Sequence, residues 1–215
     1  MSIEDEKRAA ARAAAMLVED GMRVGLGTGS TVRPLLPALA ERGLSGLRCV
    51  ATSVATEALA RELGLPVEPF ETLERLDIAI DGADQIAPDG WVIKGGGGAH
   101  TREKIVAAAA ERFVVIASSN KPVDALGPPV PLELLPFGLR ATLALLRDAR
   151  VRDGAPPSPD GGVIADFQAP FDDPAELAAR LDSTPGVVDH GLFPARLVTD
   201  VLVAHGENVE HRRVG

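Results

Sequence analysis

The chain has 215 residues, 46% hydrophobic and 25% charged, enough for one large packed domain or for a domain of about 130 residues with a smaller companion. Its 22 basic and 31 acidic residues leave a net charge of −9, which argues against non-specific attachment to nucleic acid or to an anionic membrane, so an anionic ligand has to be gripped locally. A single cysteine, Cys49, excludes an intramolecular disulfide, the start Met1-Ser2-Ile3-Glu4-Asp5-Glu6 lacks the basic and apolar regions of a signal peptide, and no 18-residue apolar segment follows; the expectation is a soluble cytoplasmic protein.

Residues 4–19, EDEKRAAARAAAMLVE, are dense in strong helix formers and set Ala10, Ala13, Ala14 and Leu17 on one face, which predicts a helix. A short strand in MRVGLGTGSTV then runs into glycines, and LLPALAERG reads as a helix ended by Gly43. LRCVAT reads as a strand, SVATEALARELG as a helix and LPVEPF as another strand. LDIAI, WVIK and FVVIA are three more apolar runs; between the last two lies the helix TREKIVAAAAER, with Thr101 as its expected N-cap. Apolar strands alternating with helices predict an α/β fold with a largely parallel sheet covered on both faces.

Near Gly127-Pro128-Pro129 the texture changes and proline becomes frequent. PVPLELLP, the helix LRATLALLRDAR, the strand GVIADF, the helix DDPAELAARLD and the strand GVVDHGLF predict a smaller α+β unit over residues 129–195. Its second helix should open on Asp173 as N-cap with Pro174 at the first helical position. Residues 153–162 read as loop. VTDVLVAHG is expected to return as a strand to the first unit, which then comprises residues 1–128 and 196–215.

In a parallel α/β sheet ligands bind beyond the carboxyl ends of the strands, so the residues after each strand carry the functional argument. After the first strand stands Gly25-Leu26-Gly27-Thr28-Gly29-Ser30-Thr31. A dinucleotide fingerprint would need glycine at position 30, which is Ser30, and the second strand ends without an acidic residue for a ribose hydroxyl, so NAD binding is not expected. The turn offers hydroxyls and backbone N–H groups at a helix start, either as an anion site or simply as a capped tight turn. After LDIAI, Asp81 and Asp84 flank Gly82-Ala83; burial and mutual repulsion could tune them for acid–base work, or they could cap the turn. A metal is the third option, with no His or Cys nearby to support it.

After WVIK come Gly95-Gly96-Gly97-Gly98, an entropically costly run that points to a need for bare backbone. Glu103 follows in the first turn of the next helix, with Val106 and Ala107 at i+3 and i+4, so no helical salt bridge accounts for it. Lys7, Lys94, Lys104 and Lys121 are the only lysines among the 22 basic residues, and Lys94 and Lys121 follow predicted strands. A compact ammonium suits a phosphate or sugar oxygen. His100, His190, His205 and His211 lack metal-ligand spacing; His100 reads as a polar lining residue near the site, and Cys49 as a small core residue.

GLGTGST, DGAD, KGGGG, TREK and the lysine after FVVIASSN, taken in order, resemble the type A ribose-5-phosphate isomerases over essentially the whole chain. The resemblance implies a Rossmann-like domain with a second, smaller α+β domain of ferredoxin-like kind, a homodimer or homotetramer, and interconversion of ribose 5-phosphate and ribulose 5-phosphate without metal or organic cofactor. By motif it makes Glu103 the proton-transferring base, with Asp81, Asp84 and Lys94 assisting. It places Thr28, Gly29, Ser30, Thr31, Gly82, Ala83, Gly95, Gly96, Gly97 and Lys121 around the phosphosugar together with those charged groups. Departures are Gln85 after DGAD, Ser118-Ser119-Asn120 before Lys121, and a short proline-rich 153–162. Two other readings remain open from the sequence: a sugar-sensing effector module, which would need a DNA-binding element and a basic face, and a CoA-transferase-like enzyme using a glutamate nucleophile.

Overall fold

The computed structural model describes residues 2–214; Met1 and Gly215, the ends of the expected first unit, lie outside the described residues. Helix α1 (Ile3–Ala15) opens on a reciprocal capping box, in which the Ser2 hydroxyl accepts from the Asp5 N–H and the Asp5 carboxylate accepts from the Ser2 N–H. It ends before the expected residue 19 because Leu17 and Val18 donate to carbonyls only three residues back, which tightens and closes the last turn. Next come β1 (Arg23–Leu26), α2 (Leu35–Ala40), β2 (Arg48–Ala51), α3 (Val54–Glu62) and β3 (Ile78–Gly82). Two-residue strands β4 (Gln85–Ile86) and β5 (Val92–Ile93) precede α4 (His100–Ala109) and β6 (Phe113–Ser118). Then follow β7 (Val130–Leu134), α5 (Leu139–Leu146), β8 (Ala149–Val151), β9 (Val163–Phe167), α6 (Pro174–Asp182) and β10 (Val187–His190), and the chain finishes with β11 (Leu192–Phe193), β12 (Asp200–His205) and β13 (Asn208–Arg213).

The large sheet runs β13-β12-β6-β3-β1-β2 and is parallel except for β13, which forms a hairpin with β12. The expected return of VTDVLVAHG is β12, paired with β6. From β1 the chain moves outward to β2 and then crosses back to β3 on the other side of β1. The order therefore reverses between β1 and β3, and the crevice at their carboxyl ends is the place where such sheets take ligands. Small side chains let the first layer sit close. Ala10, Ala11 and Ala14 of α1 pack with Leu35, Leu36 and Leu39 of α2 over Val24, Leu26, Ile78 and Ile80. On the other face Val106 and Ala107 of α4 join Ala79, Phe113, Val115 and Val203.

The second sheet is antiparallel in the order β10-β7-β9-β8, with α5 and α6 as its crossovers, the β-α-β-β-α-β arrangement of a ferredoxin-like unit. Its core is built from Val130, Leu132, Leu134, Ala165, Phe167, Leu177 and Leu181. As the sequence suggests, Asp173 caps α6 by accepting from the N–H groups of Ala175 and Glu176, and Pro174 opens it.

Three local expectations are corrected. WVIK is not a strand of the parallel sheet: β5 pairs with β4 and β11 in a separate antiparallel ribbon, because the few residues separating it from β3 are too short for a parallel crossover and allow only a hairpin. LPVEPF does not form a strand; Val67 makes a single bridge to Cys49, and the flanking Pro66 and Pro69 cannot donate to a ladder. Thr101 is not the N-cap of α4, a position taken by Ala99 without a side-chain cap; its hydroxyl instead donates to Glu133 at 2.5 Å.

Candidate active site

The turn after β1 and the end of β3 meet at the switch point. A Cβ on Gly27 would lie 2.0 Å from Asp81 Cγ, so only glycine lets the two strand ends come together. Asp81 Oδ1 accepts from the N–H groups of Thr28 at 3.1 Å and Gly82 at 2.7 Å. Behind the turn, the Thr28 and Thr52 hydroxyls pair at 2.7 Å, and the Thr56 hydroxyl donates to the Gly27 carbonyl at 2.9 Å. The turn from β2 into α3 thus holds the first turn from the rear.

At the floor of the crevice three charged side chains are almost wholly buried: Asp81 and Lys94 are each 2% exposed and Glu103 is 3%. Lys94 Nζ lies 2.8 Å from Asp81 Oδ2 and 3.1 Å from Glu103 Oε2, and it donates to the Gly82 carbonyl at 2.6 Å. One cation shared by two carboxylates leaves an excess negative charge in a dry place. Burial, and then repulsion from Asp81, therefore push the Glu103 carboxyl up to about 8 against the pull of Lys94. Burial likewise raises Asp81, with Lys94 opposing. Burial alone would lower Lys94, but the two carboxylates overturn this and hold it charged above its ordinary value.

Above this floor opens a cleft of about 360 Å³. Its walls carry Thr28, Gly29, Ser30 and Thr31 from the first turn and Gly82, Ala83 and Asp84 from the second. Lys94, Gly95, Gly96 and Gly97 line it from the glycine loop, and Glu103 and Lys121 complete the residues singled out from sequence. Asp81 stands behind this lining, its oxygens taken up by Thr28, Gly82 and Lys94. Asp84, in contrast, faces the cleft and accepts from the Gly96 N–H at 2.8 Å.

Four lining residues escaped the sequence reading: Ile3, Lys7, Ser118 and Asn120. Lys7 donates to the Ser30 hydroxyl at 3.0 Å and pairs with Glu4 at 2.6 Å. The one signal for it was the scarcity of lysine, since all the lysines but Lys104 reach the cleft. His100 does not line the cleft. It is fully buried beneath Gly95, whose added Cβ would lie 2.7 Å from Nδ1, and burial, then the charge of Lys104, lower it to about 3 so that the ring is neutral. Lys104 turns the other way, donating to Asp189 at 2.5 Å and to the His190 carbonyl at 2.6 Å. That ammonium also accounts for the one group of potential metal ligands that comes together among the described residues, Asp182, Asp189 and His190, since it already occupies Asp189; His190 Nδ1 accepts from the Leu192 N–H. No helix among the described residues is long and apolar enough to cross a membrane.

Comparison with known proteins agrees with this architecture. The family described as ribose 5-phosphate isomerase A (phosphoriboisomerase A) matches residues 48–208. The ribose-5-phosphate isomerase A of Caulobacter vibrioides is 47% identical over 97% of this chain and 98% of its own length. Among solved structures, a D-ribose-5-phosphate isomerase in complex with phospho-erythronic acid is 34% identical, covers 99% of this chain and 100% of its own, and superposes with a TM-score of 0.92. The ribose 5-phosphate isomerase A of Methanocaldococcus jannaschii gives 35% identity, the same coverage and a TM-score of 0.92. The sugar-sensing and CoA-transferase readings are not favoured by these matches. With sequence relatives and solved structures agreeing over nearly its full length, the chain belongs to the ribose 5-phosphate isomerase A family, enzymes that interconvert ribose 5-phosphate and ribulose 5-phosphate.

Proposed function

We propose that the cleft carries out this aldose–ketose isomerisation with Glu103 as the base. The observation that supports it most is the Glu103 carboxylate in a dry floor, 3.1 Å from the Lys94 ammonium and at the edge of a cleft of sugar-phosphate size. In the open-chain aldose Glu103 takes the proton from C2, and the electron pair left behind forms the C1–C2 double bond as the aldehyde oxygen becomes anionic. The O2 proton passes to O1, and the carboxyl then returns its proton to C1 as the C2 carbonyl forms. A carboxyl pushed to about 8 suits both halves of this exchange, since it takes and returns a proton near neutral pH. Lys94 and the N–H groups of the glycine loop stabilise the enediolate. Asp84 contacts a sugar hydroxyl and assists ring opening, while Asp81 acts from behind by holding Lys94. Lys7, Ser30, Thr31 and Lys121 grip the phosphate, which compensates locally for the net charge of −9. Phospho-erythronic acid, held by one of the solved relatives, is a phosphorylated four-carbon acid whose carboxylate imitates the enediolate oxygens; it should inhibit competitively here.

Turnover of ribose 5-phosphate in D₂O tests this reading. Deuterium on the product carbon is expected, because the Glu103 carboxyl exchanges with solvent through the cleft before it protonates C1; an unlabelled product together with an unchanged rate in Glu103→Gln would replace proton transfer by hydride transfer. We also propose a cytoplasmic homodimer or homotetramer, with residues 1–128 and 196–215 as the catalytic domain and 129–195 as the second. Exposed Phe137 and Leu145 supply apolar surface that a neighbouring subunit could cover, and sedimentation would give the state.

A further inference from the structure

Arg152 follows β8 in the small antiparallel sheet and lines no part of the cleft. Its guanidinium is forked onto Asp166 of β9, with Nε at 2.8 Å and Nη2 at 2.6 Å from the two carboxylate oxygens. The remaining nitrogen, Nη1, reaches across to the glycine loop and donates to the Gly96 carbonyl at 2.9 Å and the Gly95 carbonyl at 3.4 Å. A trans peptide is planar with its oxygen and hydrogen on opposite sides, so a hand on the oxygen sets the direction of the N–H. The Gly95–Gly96 peptide is gripped at both ends, its oxygen by Arg152 and its N–H by Asp84 at 2.8 Å. The Gly96–Gly97 peptide has its oxygen on Arg152, and the Gly97 N–H, which has no partner among the described residues, is thereby turned away from Arg152 on a loop that lines the cleft.

We infer that Arg152, fixed by Asp166, is a positioning residue that aims the Gly97 N–H at the substrate oxygens and keeps the Gly96 N–H on Asp84. The inference rests on the isomerase reading of the cleft. A Gly–Gly peptide has no side chain to resist a flip, so a loop of four glycines gains bare backbone at the cost of orientation, and the orientation has to come from outside. His100 blocks the underside of Gly95, the Gly98 N–H closes the turn onto the Gly95 carbonyl at 3.0 Å, and Arg152 supplies the remaining constraint. Arginine fits where lysine would not, because one planar group satisfies a carboxylate with two donors and keeps a third for the loop.

The test is steady-state turnover of ribose 5-phosphate by wild type, Arg152→Met, Arg152→Ala and Asp166→Asn, with thermal unfolding of each. Arg152→Met should lower kcat about 10²-fold with KM little changed, the scale of a misaimed group near the chemistry. Free guanidinium below denaturing concentration should restore part of the rate to Arg152→Ala and none to Arg152→Met, whose side chain fills the space. Asp166→Asn should lower kcat in the same direction, and less than additively in the Arg152→Met background. Folded Arg152→Met and Asp166→Asn proteins with wild-type kcat would overturn the inference, as would a loss that follows only the folded fraction. If Arg152→Met does not fold, Asp166→Asn decides alone. A folded wild type that does not isomerise the sugar would instead overturn the function on which the inference rests.

Discussion

Two regions of the molecule meet on four consecutive residues. In Thr101-Arg102-Glu103-Lys104, Glu103 turns toward the switch point of the large parallel sheet, where Lys94 from the β5 ribbon meets Asp81 of β3, while the other three turn toward the small antiparallel sheet. Thr101 donates to Glu133 of β7, Arg102 forks onto Asp160, and Lys104 is held by Asp189 of β10. Glu133, 2% exposed, also accepts from the Ser158 hydroxyl, so the proline-rich loop 153–162 is anchored to the same helix turn. In the proposed reaction α4 and the β5 ribbon bring Glu103 and Lys94 to the switch point of the large sheet, and the small sheet contributes the aim. On the proposed function, this contrast explains why the site is surrounded by so many charges that never touch the cleft.

The sharpest way to break the contrast is Glu103→Gln. It should cost about 10⁴-fold in kcat, the upper scale of positioned acid–base catalysis, while binding of the phosphosugar persists; near wild-type turnover would remove Glu103 from its role. The same residue gives a pH signature. Burial and Asp81 push it to about 8, and it must be ionised to accept the C2 proton, so kcat/KM should rise with pH and level off above about 8. For stability the sign is opposite. A carboxyl raised from 4.5 holds its proton more tightly folded than unfolded, so stability falls as pH rises from about 4.5 through about 8, and the Glu103→Gln unfolding midpoint should lose that slope.

Lys94→Met comes next, with about 10²–10³-fold lost in kcat for the missing electrostatic donor. Because it leaves two carboxylates buried without their cation, it should also lower stability by about 3–5 kcal/mol, readable by denaturant titration. The glycine loop then separates catalysis from folding. A Cβ on Gly96 would press on the movable Asp84 carboxylate at 2.9 Å, so Gly96→Ala should lose turnover more than stability. Gly95, at φ +101 with the His100 ring 2.7 Å from an added Cβ, should lose stability first, by at least about 1–2 kcal/mol for the left-handed backbone. Lys7→Ala and Lys121→Ala should raise KM about tenfold, roughly 1.4 kcal/mol of phosphate binding, with kcat largely kept and the effect shrinking at high salt. Smallest is Arg102→Ala, which removes a pair whose partners are 37% and 48% exposed; its unfolding midpoint should move by less than about 1 kcal/mol in equivalent stability.

What could be read along the chain was whatever is local. The GTGST turn, DGAD, the glycine run and Glu103 each lie within a few residues of a strand end, where the α/β pattern says ligands bind, and all of them converge on one cleft. The pattern failed where a long-range pairing decided the outcome. WVIK has the composition of a buried strand, yet the short connection from β3 forces it into an antiparallel ribbon with β11, a partner about a hundred residues away. Thr101 has the right residue type for an N-cap, yet the helix starts before it on Ala99 and its hydroxyl is drawn to the Glu133 carboxylate on β7.

By itself the sequence determined the alternating helices and strands, the acidic balance that makes a local anion grip necessary, and the residue types at each strand end, because these follow from composition and spacing within ten or so residues. Only the tertiary structure decided that Asp81 would stand behind Lys94, that Lys7 would cross from the first helix to Ser30, and that Arg152 would reach the glycine loop. Those contacts depend on how three sheets pack, and the burial that moves Glu103 to about 8 exists only once they have.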